Sequence, residues 1–195
     1  DTETSGAVFY LAPGPDRKER WTPIELHHEP VVHRMRWLKM SDKKFGLVVA
    51  PLHGRGNKNG EGTGSRLLVY QMAEEPEQPW KVDLIDDEYH VTHNFDVAAT
   101  RHDADGEDLF YLGREGAKRI RLRDGQWHRE RLLGIKGGGE IRFGRNAAGV
   151  SFLSTIEPFH GTDLVLYETK MSPENKPLPF AQRTVLDSKL NQGHA

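Results

Sequence analysis

Histidines and carboxylates recur at one place in a repeating pattern. His33 opens "HRMRWLKM", His93 opens "HNFDVAAT", Glu140 opens "EIRFGRNA", and His194 stands near the end, at intervals of 60, 47 and 54 positions. A second set closes each following apolar run: His53 in "APLHGR", Glu115 in "LGREGA" and His160 in "EPFHGT". Imidazole is the side chain whose ordinary pKa lies nearest neutrality, so it serves as a general base or acid and, when neutral, as a ligand for zinc-like metals. A carboxylate in the same place completes an acid–base pair or a coordination shell. His33, His93, Glu140 and His194 are therefore the candidate catalytic set, and His33, His53 and His93 the candidate ligands of a zinc-like ion. A polar residue at a strand mouth can also simply cap the strand, and taken singly each histidine fits that role. The recurrence of both sets favours a site. His27, His28 and His90 lie in the connections beside it, whereas His102 and His128 fall on outer loops or strands.

Two further stretches have chemical spacing. "RHDADGEDLF" places Asp103, Asp105 and Asp108 around Gly106, a pattern shared with calcium loops in which alternate oxygens wrap a hard cation. A tight turn rich in Asp and Gly has the same composition, and the turn is the favoured reading. The glycine-rich segment from Gly54 to Gly64 lacks the lysine and hydroxyl of a phosphate-binding loop. With Arg55 and Arg66 at its two ends, it reads as a mobile rim.

The elements that must position these residues are strands. Apolar and polar residues alternate with a period of two through "VHRMRWLKM", "RLLVYQM", "KRIRL", "DLVLYE" and most other segments. No stretch with helical spacing exceeds about ten residues. The chain is expected to be all-β. Aligned by hand, the strands fall into a four-beat unit that occurs three times in full, preceded by the last two strands of another unit. Trp21, Trp80 and Trp127 recur at the start of the fourth strand. Four-stranded units repeating at about 40–50 residues are the mark of a β-propeller. The blade parts are read as about 1–28, 29–87, 88–134, 135–187 and 188–195 of one partial propeller domain. In such a ring the first strand of each unit lines the central channel. Both recurrent sets would then meet at one funnel.

Composition narrows the function classes. With 27 basic and 29 acidic residues the chain lacks the basic excess of a nucleic-acid binder. Its apolar runs are too short to span a bilayer as helices. It has no cysteine, so neither disulfides nor thiolates contribute. "DTETSG" has neither the basic nor the apolar segment of a signal peptide, and the chain reads as a mature product or an excised piece; the compartment stays open.

Together "HHEPVVHRMRW", "VVAPLHGRGN", "YHVTHNFDV" and "TIEPFHG" resemble the propeller domain of aldos-2-ulose dehydratase and the related FG-GAP/VCBS-like bacterial proteins. The resemblance covers nearly the whole chain. It implies a seven-bladed ring with further blades or domains beyond this sequence, a bound divalent metal, and elimination of water from keto-sugars such as 1,5-anhydrofructose. Zinc is the metal expected, with calcium or magnesium as alternatives, and a small carbohydrate is the expected partner. On that chemistry Glu140 or His194 is base or acid, Arg55 orients sugar hydroxyls, and His160 and Glu115 line the substrate. Two other functions use the same fold: a non-catalytic propeller binding carbohydrate or a protein, and a polysaccharide lyase acting on uronic-acid polymers.

Overall fold

The computed structural model describes residues 4–100, 106–132 and 134–193. Among them are fourteen strands and no helix; none therefore offers a helix long and apolar enough to cross a membrane. The strands are β1 (Phe9–Ala12), β2 (Thr22–Glu25), β3 (Val32–Ser41), β4 (Lys44–Pro51), β5 (Leu67–Gln71), β6 (Lys81–Asp86), β7 (Thr92–Ala98), β8 (Asp108–Gly113), β9 (Gly116–Arg123), β10 (Gln126–Leu132), β11 (Glu140–Arg145), β12 (Ser151–Glu157), β13 (Asp163–Met171) and β14 (Pro177–Asp187). Each antiparallel strand pairs with its sequence neighbours, giving sheets β3–β6, β7–β10 and β11–β14 and a separate β1–β2 pair. These are three four-stranded blades and the outer half of a fourth, all of one meandering design.

Blades hold together face to face. Leu38, Val48, Leu67, Val69 and Ile85 of the β3–β6 blade pack on Phe95, Leu109, Tyr111 and Ile120 of the next. Phe110, Leu112, Ala117 and Leu132 in turn pack on Ile141, Leu153, Val165, Tyr167 and Phe180. Val49, Leu68 and Tyr70 close over Val8 beside the β1–β2 pair. Successive side chains of a strand point to opposite faces, so β4, β5 and β8 bury both faces. They read as unbroken apolar runs where simple alternation was expected. Each large apolar side chain removed from water contributes about 1.5–3 kcal/mol, which makes these seams the main source of stability. A buried ion pair crosses the first seam: Lys118 Nζ lies 2.8 and 2.9 Å from the two oxygens of Asp86 and 2.7 Å from Glu88 Oε2.

The first strands of the blades are the innermost. β7 lies against both β3 and β11, so residues at the head of these strands come within reach across three blades. At the other end of the chain, Leu190 N donates to Thr162 O and Gly193 N to Gly161 O. Thr92 N donates to Leu52 O in a comparable way between the earlier blades. His194 itself lies outside the described residues.

Candidate functional site

Two of the expected histidines owe their aim to the same irregularity. In the β3–β4 ladder Val32 pairs with Pro51 and Arg34 with Ala50, leaving His33 as an extra residue. In the β7–β8 ladder Thr92 pairs with Gly113 and Asn94 with Leu112, leaving His93 extra. A bulge re-aims the inserted side chain. Here it turns both imidazoles toward each other across the blade seam, with ring centroids 4.6 Å apart. The β11–β12 ladder has no such bulge: Glu140 pairs with Ile156, the place taken by Arg34 and Asn94 in the other blades. Glu140 is therefore the structural counterpart of Arg34 and Asn94, shifted by one from the expected counterpart of His33 and His93.

That shift brings acid and base together. His93, 3% exposed, places Nδ1 2.8 Å from Gly139 O and 3.3 Å from Glu140 Oε1. A carbonyl only accepts, so Nδ1 carries the proton and, in the neutral ring, Nε2 holds the lone pair. His93 Nε2 lies 2.8 Å from Nε2 of His160, with the rings at 73°. Two lone pairs cannot face each other at that distance, so one proton sits between the rings, donated by His160 when both are neutral. Phe159, edge-on to His93, has a φ of 41°, in the left-handed region that a bulky residue seldom adopts. Local strain of this kind clusters at sites where a neighbour must be held in place.

Glu140 is 2% exposed. Asn94 Nδ2 donates to its Oε2, and the Asn94 amide is oriented by accepting from Phe95 N at 2.8 Å. Arg34 Nη2 stands 3.6 Å from Oε1. Burial pushes the carboxyl up, but the bonds from His93 and Asn94 and the charges of His93 and Arg34 outweigh it and hold the pKa at about 2. Glu140 is ionised throughout the neutral range and too weak a base to take a carbon-bound proton itself. It can orient His93 and stabilise its protonated form.

The other expected residues are placed differently. Glu115 does not approach His93. Its Oε1 accepts from His90 N at 3.0 Å and lies 3.0 Å from His90 Nδ1, with Arg114 Nη2 at 3.7 Å. The reason is local, because the His90 amide and the Arg114 guanidinium both present donors to it. His53 is joined to the neighbouring blade by a bridge to Val91, and burial pushes its imidazole pKa down, favouring the neutral form. No contact between His53 and the His33–His93–His160 cluster is seen among the described residues. Arg55 follows it into a connection that is docked where a mobile rim was expected. There Asn57, 4% exposed, donates to Thr63 O and His90 O, and Arg114 Nη2 donates to Gly60 O at 2.7 Å. Asp108 accepts from Thr100 and Arg121 within its own blade; Asp103 and Asp105 lie outside the described residues.

The expected metal can be tested against these donors. Nδ1 of His93 bonded to a carbonyl, with Nε2 left as the second ring donor atom, is how proteins orient a ligating imidazole, and Nε2 of His160 faces it. The two nitrogens would have to give up the proton between them to hold a zinc-like ion. Among the described residues no three His, Asp or Glu side chains are arranged to hold one.

The pattern-based reading missed Arg34 and Asn94, which contact Glu140 directly, and Arg36, Asp96 and Arg142 further along the same strand faces. Their signal was the polar residues one and three positions after each histidine ("HRMR", "HNFD") and the alternate residues of "EIR". Comparison with family models gives a match to the β-propeller domain of aldos-2-ulose dehydratase over residues 5–170. No curated protein matches the chain.

Proposed function

The chain belongs to the aldos-2-ulose dehydratase β-propeller family, and from that premise we propose that it is a carbon–oxygen lyase that eliminates water from a keto-sugar at the cluster of His33, His93, His160 and Glu140. The observation that carries this reading is the chain of contacts from Glu140 through His93 to His160, assembled from two blades with His33 packed against His93 from a third.

The carbonyl of a keto-sugar acidifies the proton on the adjacent carbon. His160, which is exposed, takes that proton, and His93 shares the resulting charge through the Nε2 contact. Glu140, already ionised, stabilises the protonated pair without accepting the proton. Arg34, whose side chain is one-third exposed, supplies positive charge for the enolate oxygen. The protonated imidazole pair returns the proton to the departing hydroxyl on the next carbon, so the products are water and the enone. Arg55 is assigned to the sugar hydroxyls. A divalent metal, if held by His93 and His160, would supply further polarisation of the carbonyl; no step here depends on it.

Enone formation from 1,5-anhydrofructose, followed by ultraviolet absorbance, tests the proposal, with metal content measured on the same samples. His93→Ala and His160→Ala should each lower turnover by about 100- to 10,000-fold, the range lost with a general acid or base, while β-sheet circular dichroism is retained. Unchanged turnover in both variants sinks the assignment.

A further inference from the structure

Beside the histidine cluster the inner strands carry three arginines. Arg34 and Arg36 lie on one face of β3, and Arg142 lies on β11, with β7 between them contributing Asn94 and Asp96. The three arginine side chains are 33%, 39% and 33% exposed, whereas Glu140 and Asp96 beneath them are buried. Elsewhere in the chain a buried carboxylate and its cation meet at hydrogen-bonding distance: Arg66–Glu29 at 2.9 Å, Arg183–Glu157 at 3.0 Å and Lys118–Asp86 at 2.8 Å. The channel arginines stand off instead, Arg34 and Arg142 at 3.6 and 4.0 Å from the two oxygens of Glu140, and Arg36 at 3.8 Å from Asp96.

The carboxylates do not need them as donors. Glu140 already accepts from Asn94 and lies beside the His93 N–H, and Asp96 Oδ2 accepts from Phe143 N at 2.9 Å. Nor do the arginines spend their own donors there. Arg142 Nη1 donates to Ile141 O, and Arg34 Nε is buried with no hydrogen-bond partner among the described residues. Among the described residues, three cations over two anions leave one positive charge on side chains that are partly exposed. A planar, donor-rich guanidinium of this kind recognises carboxylate and phosphate oxygens.

We propose that Arg34, Arg36 and Arg142 form a subsite for the anionic group of the ligand, so that the sugar taken by this channel carries a carboxylate or a phosphate. The inference rests on the dehydratase reading for the ligand's being a sugar; the capture of an oxyanion stands apart from it. Glu140 sets the spacing, because its carboxylate keeps Arg34 and Arg142 on either side of one point while its own bonds go to Asn94 and toward His93.

Calorimetric titration with D-glucuronate, D-glucose 6-phosphate and neutral D-glucose tests the subsite. At least one of the anionic sugars should bind about tenfold or more tightly than glucose, the scale of a charge-assisted pair, and added salt should weaken that binding. Preference for glucuronate identifies a carboxylate ligand; preference for the sugar phosphate identifies a phosphate. Arg34→Gln and Arg142→Gln should each weaken binding about tenfold, and Arg36→Gln provides the same test if either fails to fold. Equal affinity for all three sugars, or affinity unchanged in the arginine variants, overturns the inference. Enone formation from 1,5-anhydrofructose and from its 6-phosphate, measured in parallel, separates the two claims: anion binding without turnover of either sugar removes only the dehydratase reading, and turnover of the neutral sugar without anion preference removes only the subsite.

Discussion

Glu140→Gln isolates the contribution of one buried charge. The native carboxyl is held at about 2 against an ordinary 4.5. A depressed native pKa means that the ionised form is favoured by folding, so the stabilisation is fully present above the unfolded pKa. It is lost as pH falls from about 4.5 toward 2. The displacement of roughly two and a half units, at about 1.4 kcal/mol each, corresponds to about 3 kcal/mol. Glutamine keeps the size of the side chain but removes the charge facing Arg34 and the His93 N–H. Urea unfolding of both proteins from pH 7 to pH 2.5 gives the comparison. Every other titrating group is common to the two chains, so their difference reports position 140. It should be about 3 kcal/mol at pH 7 and shrink steadily below pH 4.5. A difference that stays constant down to pH 2.5 would refute the linkage between Glu140 and its His93, Asn94 and Arg34 partners.

Lys118→Met should destabilise the chain by about 3–5 kcal/mol in denaturant titrations, because it strands the Asp86 carboxylate in the first blade seam. Burial already raises the pKa of Asp86, so its protonation at acid pH relieves the variant and the deficit should narrow as pH falls; a deficit that widens there contradicts the assignment. Gly54→Ala should undock the 54–64 connection, since a Cβ there would meet Thr63 O at 1.8 Å and Gly64 O at 2.5 Å, both backbone atoms. Trypsin should then cleave after Arg55 or Lys58 faster than in the parent chain, and an unchanged cleavage rate would show that the backbone accommodates the methyl group.

The strands and their grouping in fours were legible in the sequence because burial against neighbouring blades demands apolar residues at regular positions. The same demand obscured a detail: β4, β5 and β8 are covered on both faces, so their runs "GLVVAPL", "RLLVY" and "DLFYL" lose the simple alternation. The equivalence of His33 and His93 was legible because both the residue and its surroundings repeat. The placement of Glu140 was not, since aligning heads of strands assumes equal strand lengths and a bulge leaves no mark in residue type. The 54–64 connection misled for a related reason. Eight of its eleven residues are Gly, Asn or Lys, a composition that suggests freedom, yet Asn57 and Arg114 fix it with bonds to backbone carbonyls that composition cannot forecast.

The bulge explains how a repeated scaffold builds a site that is not itself repeated. Identical blades around an axis would present a ring of identical side chains, and a ring of imidazoles alone would repel its own protonated forms. The extra residue in β3 and β7 lifts His33 and His93 out of the strand register. Its absence from β11 lets Glu140 drop into the position that Arg34 and Asn94 hold. One repeat position thereby yields a cation, an amide and a carboxylate in consecutive blades, and the position before it yields two imidazoles and the Gly139 carbonyl that fixes the tautomer of His93. The asymmetry needed for acid–base chemistry comes from the presence or absence of one residue per blade. Deleting His93 outright should therefore do more than remove an imidazole. It would restore regular β7–β8 pairing and erase the bulge that presents an imidazole to His160, and no other single-residue change in that strand would do both.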